Sequence, residues 1–196
     1  MSSPATALLA LWNDVAPELD AQYNDWHAVE HVPERLTVPG ILWGRRYGRL
    51  AGASPRYLTL YGLADAAVLD SEPYQRLLRE PTPMSRTMRT ALANVSRWVC
   101  RLHEQRGAES GGLLAVRTVA GPAEAPQLLR DPLVNAAGVV GRLLAERLRD
   151  ASPLPWLGGA QGGGVEGDWL LCAAFEAGTT SPRPQDGDLY QRLPVG

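Results

Sequence analysis

The sequence predicts an α+β fold in which two tandem βαββαβ repeats pack their sheets face to face and form a barrel within one chain. The first observation behind this prediction is size and composition: 196 residues, 45% hydrophobic and 20% charged, are enough for a substantial core. The second is periodicity. Segments typical of strands and helices follow one another as β-α-β-β-α-β over residues 1–105, and a fainter copy of that order occupies residues 111–196.

The first unit begins with a strand, followed by the clearest helix of the sequence. The apolar run of residues 7–12 (ALLALW) has the length of a strand. Bulky residues then recur at a spacing near 3.6 through residues 17–37, with acidic residues in the first turns, which predicts a helix. Because Pro33 lacks the N–H that would bond to residue 29, we expect the helix to kink there before Pro39 and Gly40 end it.

The rest of the first unit reads as a hairpin, a helical region and a last strand. Residues 41–50 and 56–63 have strand patterns joined by a Gly-Ala-Ser-Pro turn. Residues 65–95 are helical in two pieces, separated by prolines at 81–83, and residues 96–103 form the last strand. This is the order of the ferredoxin-like fold, in which two helices cover one face of a four-stranded antiparallel sheet and leave the other face bare.

The second unit repeats this order in a degenerate form. We expect its first helix, residues 123–137, to be short because it contains Pro126 and Pro132, and its second helix to be lost or reduced. The strand-like segments that echo the first unit are residues 113–119 (echoing 7–12), 138–148 (echoing 40–50) and 168–177 (echoing 55–64), followed by a last strand at 189–195.

A glycine-rich stretch, residues 152–167, separates the second and third strands of this unit. It predicts a mobile surface loop and a candidate lid over one barrel end, and it includes the Gly-rich loop 158–167. Residues 162–167 match GxGxxG literally, but a strand follows them. The helix N-terminus that would hold a pyrophosphate is therefore missing from the pattern.

Composition excludes several classes of function. All 19 basic residues are arginine, so no lysine is present to form a Schiff base or to serve a phosphate-binding loop. The net charge of −2 is spread along the chain, and we expect neither a nucleic acid nor a membrane surface as partner. No apolar stretch approaches the roughly 20 residues of a transmembrane helix. Cys100 and Cys172 lie outside any CxxC motif, and we expect buried thiols in a cytoplasmic protein.

The histidines are His27, His31 and His103, all in the first unit. His27 and His31 are one turn apart on one side of the first helix. With Glu30 they spell HxxEH, the inverted zinc-protease pattern, but a zinc site needs a third ligand on another element, and we predict no metal. Two interpretations of the pair stay open. Either one histidine lies at the core edge while the other pairs locally, or both line a pocket.

Residues 23–47 (YNDWHAVEHVPERLTVPGILWGRRY) carry a family pattern. They resemble the first helix and second strand of the dimeric α/β-barrel superfamily, in particular of EthD-like and related small proteins. That pattern is an aromatic-rich helix with Trp-His or Trp-Tyr, then Glu-His-x-Pro, Pro-Gly and an Arg-Tyr strand. The resemblance covers residues 7–103 well and 113–196 faintly. It implies a site between the bare sheet face and the inner side of the first helix, formed by Tyr23, Trp26, His27, Glu30, His31, Arg46 and Tyr47.

Strand alternation adds candidates for the wall of such a site. Trp43, Arg45 and Tyr47 fall on one face of the second strand and Arg46 on the other. Aromatic and hydroxyl side chains suit a pocket that is mostly apolar with a few polar groups, although they equally suit the interface between two sheets. The further residues of this set are Tyr57, Thr59 and Tyr61 on the third strand, with Trp12 and Trp98 on the outer strands.

Members of the resembled superfamily include cofactor-independent monooxygenases, lactone isomerases, haem enzymes and proteins without known activity. A haem enzyme of the chlorite-dismutase kind places a proximal histidine in its C-terminal repeat, and residues 104–196 contain no histidine, which disfavours haem. The resemblance implies a monooxygenase, isomerase or cyclase that acts on a small aromatic or polyketide-like molecule without metal or organic cofactor. The alternative is a ligand-binding or structural barrel without catalysis.

In the catalytic interpretation, His27 or His31 is the general base or acid, and Arg46 or Arg45 holds developing negative charge. The predicted partner is a small-molecule ligand, and the predicted assembly is a monomer with a pseudo-dimeric barrel or a homodimer. The predicted ligand-binding residues are Tyr23, Trp26, Glu30, Trp43, Arg45, Tyr47, Tyr61 and Trp98.

Overall fold

The strands of the protein form one closed antiparallel barrel. A computed structural model describes residues 4–107, 111–150, 156, 164–176 and 187–196. The strand order around the barrel is β1-β3-β2-β8-β5-β7-β6-β4, with β4 pairing back to β1. The strands are β1 (Ala7–Val15), β2 (Ile41–Ala51), β3 (Tyr57–Leu63), β4 (Leu92–Gly107), β5 (Leu113–Val119), β6 (Val139–Arg147), β7 (Trp169–Phe175) and β8 (Asp188–Leu193).

The barrel closes through two hydrogen-bonded seams between the halves of the chain. β2 pairs with β8, where Arg46 lies opposite Leu193, and β4 pairs with β6, where Cys100 lies opposite Arg147. The predicted barrel within one chain is therefore confirmed, but its two sheets, predicted to pack face to face, are joined edge to edge in one continuous sheet. Edge strands carry unpaired N–H and C=O groups, and edge-to-edge pairing satisfies them at both seams.

The helices lie outside the barrel and belong mostly to the first half. The predicted helix at 17–37 is confirmed, as a 3-10 turn (Pro17–Leu19), α1 (Asp20–Trp26), a π-helical turn (His27–His31) and α2 (Val32–Leu36). A 3-10 turn (Ala66–Asp70) precedes α3 (Glu72–Arg79) and α4 (Pro83–Ala91), each of which has a proline at its start.

The predicted helix at 123–137 is reduced to one turn, α5 (Ala125–Leu128). Pro126 lies at its start, and Pro132 follows four residues after its end. Because proline disrupts the interior of a helix, these two residues keep α5 short at both ends. The place expected for a second helix of this half, between β7 and β8, falls mainly on residues 177–186, which lie outside the described residues. None of the helices in the described ranges has the length and apolar character that crossing a bilayer requires.

Each strand buries side chains on both faces of the sheet. One apolar cluster takes alternate residues from all eight strands and therefore fills the barrel interior; it includes Trp12, Trp98 and the free thiols Cys100 and Cys172, which confirms both thiols as buried. On the outer face, β1 and β3 pack against α1 to α4. A separate outer cluster covers the second half.

The end of the glycine-rich stretch covers one end of the barrel. Trp98 Nε1 donates to the Val165 carbonyl at 3.2 Å, and the Val165 N–H donates to Ser96 Oγ at 2.7 Å. Val165 also packs against the interior cluster. Of the rest of the candidate lid, Trp156 is described, and residues 152–155 and 157–163 lie outside the described residues.

Candidate active site

A cavity lies between the outer face of the sheet and the helices of the first half. Apolar side chains of β1, β4 and α3 form much of its wall, for example Leu9, Val95 and Leu78. The centre of a water molecule can move within about 50 Å³ of it, inside about 680 Å³ of empty space that includes the opening to solvent. Its polar and amphipathic lining includes His27, His31, Arg35, Thr59, Tyr61, Arg89 and Trp156.

The π-helical turn that carries both histidines follows from Pro33. In this turn the Val32 N–H bonds to the His27 carbonyl, five residues earlier. Pro33 has no N–H to continue the pattern, so the Ala28 carbonyl receives no helical donor. The backbone N–H of Gly196 donates to that carbonyl at 2.9 Å, and the segment after β8 thereby braces the turn. The helix was predicted to kink at Pro33, and the irregularity is confirmed as the π-helical turn His27–His31 just before that residue.

The turn stacks the two imidazoles on each other. Their ring centroids are 5.0 Å apart with an interplanar angle of 29°, and Tyr23 stacks on the far side of His27 at 5.1 Å. Trp26 approaches His31 at 4.5 Å. The Nδ1 atoms of His27 and His31 are shielded from solvent and have no hydrogen-bond partner among the described residues. Each histidine therefore presents an unpaired polar atom in a largely apolar setting.

Burial and nearby arginines keep both histidines neutral. Burial lowers the pKa of His27 well below its ordinary value of 6.5, and the charges of Arg46 and Arg35 lower it further. Burial likewise lowers the pKa of His31, with Arg35 as the next contributor and Arg89 as another. Both imidazoles are therefore uncharged at neutral pH and able to accept a proton.

Two arginines that the sequence analysis did not single out give the cavity its charge. Arg35 is buried and donates to Glu34 Oε2 at 2.9 Å, while Arg89 donates to the carbonyls of Leu77 and Leu78 at 2.9 and 2.8 Å. No acidic residue of the described ranges lines the cavity. The site is electropositive and suits a ligand that carries or develops negative charge.

Glu30 ties the π-turn to α4 and does not line the cavity. Its Oε1 accepts hydrogen bonds from Trp26 Nε1 at 3.1 Å, from Thr82 Oγ1 at 2.5 Å and from Ser85 Oγ at 3.1 Å. The structure gives no hydrogen bond from either cavity histidine to Glu30 in the described ranges. Glu30, predicted to bind ligand, thus has a positioning role for the helix that carries the histidines.

Arg46 lies on the helix-covered face of the sheet, behind the histidines. It is 2% exposed and donates to Asn24 Oδ1 at 2.7 Å and to the Pro194 carbonyl at 3.0 Å. It does not line the cavity, whereas Arg35 and Arg89 do. Tyr23, which was also predicted to bind ligand, donates to Asn13 Oδ1 at 3.1 Å and lies at one end of the ring stack.

Four predicted binding residues lie on the other side of the sheet. Tyr47 and Trp98 belong to the barrel interior and Trp43 packs against it, with the Arg45 guanidinium 4.0 Å from the Trp43 ring centroid. The predicted position between the bare face and the first helix is corrected, because the helices cover the face opposite the interior. Tyr61 does line the histidine cavity, and its buried hydroxyl has no hydrogen-bond partner among the described residues.

Metal ligands do not assemble around HxxEH in the described part of the chain. No group of three or more His, Cys, Asp or Glu side chains is placed there to hold an ion. His103, the third histidine, lies apart from the pair, and its Nε2 is 2.9 Å from Glu146 Oε2. Within these ranges the histidine pair lacks the third ligand that a zinc site of this type requires.

No family model matches the chain, and no curated protein matches it significantly. Solved structures do match. An anthrone oxidase-like protein aligns with a TM-score of 0.63 and 10% identity over 98% of this chain and 92% of that one. A proposed monooxygenase from Fusobacterium nucleatum subsp. nucleatum has a TM-score of 0.53 and 12% identity, covering 88% and 76% of the respective chains. Another, from Lactobacillus acidophilus NCFM, has a TM-score of 0.55 and 8% identity, covering 95% and 94%. The chain is thus similar in fold to α+β barrels of monooxygenase-like proteins.

Proposed function

We propose that the protein is an enzyme that removes a proton from a small hydroxylated aromatic molecule and directs the resulting anion to molecular oxygen, without metal or organic cofactor. The observation that carries this proposal is the pair of neutral imidazoles of His27, which is buried, and His31, which is partly buried. Their Nδ1 atoms are unpaired among the described residues, in a cavity whose charged lining there is Arg35 and Arg89.

The cavity supplies what such a reaction needs from a protein. A neutral imidazole accepts the proton of a phenolic O–H, or of a ring CH₂ that a conjugated ring carbonyl makes acidic, as in an anthrone. The two arginines stabilise the anion that remains. Oxidation of that CH₂ to a ketone by one O₂ releases one water and balances in atoms and electrons, so no further reductant is required. An apolar wall keeps bulk water from the reactive anion.

The structural neighbours support this class of chemistry. One is described as anthrone oxidase-like and two as proposed monooxygenases. Isomerase or cyclase chemistry would share the first proton transfer and differ by consuming no oxygen. A ligand-binding barrel without catalysis would bind the same molecules and turn none over.

We also assign the chain to the EthD-like branch of the dimeric α/β-barrel superfamily, as a tandem duplication with units at residues 1–105 and 111–196. The strand orders β4-β1-β3-β2 and β8-β5-β7-β6 support this assignment, because they are the same order when counted within each half. A duplicated chain completes the barrel alone, so we propose a monomer, with a homodimer as the alternative assembly. We also propose that the protein is cytoplasmic.

Oxygen uptake with 1,8-dihydroxyanthrone tests the proposed function. We expect the protein to accelerate uptake above the rate of spontaneous oxidation, and His27→Gln or His31→Gln to lower kcat/KM by about 10²–10⁴-fold. His103→Gln is the matched control because it alters a histidine outside the cavity. Product formation without oxygen uptake would favour the isomerase or cyclase class. If the unsubstituted protein and all three variants bind the compound without turning it over, the protein is a ligand-binding barrel without catalysis.

A further inference from the structure

The C-terminal half of the chain contributes an aromatic side chain to the histidine cavity. Trp156 belongs to the connection between β6 and β7, yet it lines the same cavity as His27 and His31, which belong to the first half. Its indole faces the Arg89 guanidinium at 5.6 Å from the ring centroid. Among the described residues, the first-half helices thereby bound the cavity on several sides and Trp156 of the second half bounds it on another.

The surface on which Trp156 packs is itself fixed. The Arg89 guanidinium donates to the carbonyls of Leu77 and Leu78 at the end of α3, so it forms a stationary platform for the indole. Trp156 Nε1 is shielded from solvent and has no hydrogen-bond partner among the described residues. The contact is therefore one of packing and cation–π attraction, with a donor left unused.

We infer that Trp156 is the wall that shields His27 and His31 from solvent and sets the size of the ring system that the cavity admits. The space in which a water molecule's centre can move is only about 50 Å³, so a large side chain at the boundary decides whether one ring or several fit. The shielding role depends on the geometry alone. The role in ligand size rests on the proposed function.

Chemical modification by diethyl pyrocarbonate, followed by mass spectrometry of each histidine, tests the shielding role without any ligand. Trp156→Ala raises the modification rate of His27 or His31 about tenfold, the effect of losing one packed cation–π contact. Trp156→Phe keeps a ring at the boundary and stays within about threefold of the unsubstituted protein. His103 is the internal control, and its rate is unchanged. Equal rates at the cavity histidines in all three proteins would overturn the inference.

Calorimetric titration with phenol, 1-naphthol and 9-phenanthrol tests the role in ligand size. Trp156→Ala changes the ratio of the dissociation constants of 9-phenanthrol and phenol by about tenfold, in favour of the three-ring compound. Trp156→Phe leaves this ratio unchanged. An unchanged ratio would overturn this role. If none of the compounds binds to any of the proteins while the modification rates still rise, the proposed function and the size role fall and the shielding role stands.

Discussion

Acidification should destabilise this protein through the two histidines of the cavity. The pKa of His27 and of His31 is well below 6.5 in the folded protein, whereas the unfolded chain keeps the ordinary value. Between these two values the unfolded chain binds more protons than the folded one. The free energy of unfolding therefore does not depend on these two groups above pH 6.5, and it decreases as the pH falls from 6.5 toward the folded-state pKa.

The magnitude follows from proton linkage. Each histidine that is charged in the unfolded chain and neutral in the folded one removes about 1.4 kcal/mol per pH unit, and the pair removes about 2.7 kcal/mol per unit. Urea unfolding at pH 7.5, 6.5 and 5.5, followed by circular dichroism, measures this slope at pH values where carboxylates contribute least. The steep loss is expected between pH 6.5 and 5.5.

Substitution assigns the slope to the pair. His31→Gln should roughly halve it, and His27→Gln should do the same, since each removes one of the two titrating groups. His103→Gln should leave it intact because the buried pair is still present. A slope that is the same with and without the cavity histidines, or a protein that gains stability toward pH 5.5, would refute the reasoning that burial and arginines hold both imidazoles neutral.

Three further substitutions, one of them with a matched control, test the surroundings of the site. Glu30→Gln weakens three hydrogen bonds from an indole and two hydroxyls and should lower the free energy of unfolding by about 1–3 kcal/mol in urea titrations; no loss would mean that this tie is not needed. Gly44→Ala places a Cβ 3.0 Å from side chains of α2 and β3 and should lower the free energy of unfolding by about 1–3 kcal/mol. Gly48→Ala, on the same face of the strand, is the control, because its Cβ meets the nearest neighbour at 3.5 Å and should be tolerated. Equal losses of stability in the two variants would argue against close helix packing at Gly44. Arg46→Met removes a positive charge behind His27 and should raise the pKa of that histidine in an NMR titration; a fall would contradict the charge effect.

Periodicity predicted most strands and the principal helix because those elements are locally determined. β5 was predicted at its observed bounds, and β2 and β3 within one residue. β4 begins at Leu92 rather than residue 96, since pairing with β1 extends it beyond its own pattern. The joining of the halves into one continuous sheet was not predictable, because edge pairing between distant strands leaves no periodic signal.

The site was predicted in part for a similar reason. His27 and His31 were found because helix spacing places them together, and Arg35 carried the same signal, four residues after His31. Arg89 and Trp156 come from elements whose positions depend on tertiary packing. Strand alternation separates the two faces of β2 correctly but does not say which face the helices cover, and this is why residues of the barrel interior were included.

The central claim, that the histidine cavity is where a small aromatic molecule binds, is tested most directly by a crystal structure of the protein with 1-naphthol. We expect the naphthol ring to lie against Trp156, with its hydroxyl within hydrogen-bond distance of Nδ1 of His27 or His31. A ring bound instead in the barrel interior beside Trp43 and Arg45, with the histidine cavity unaltered, would contradict it.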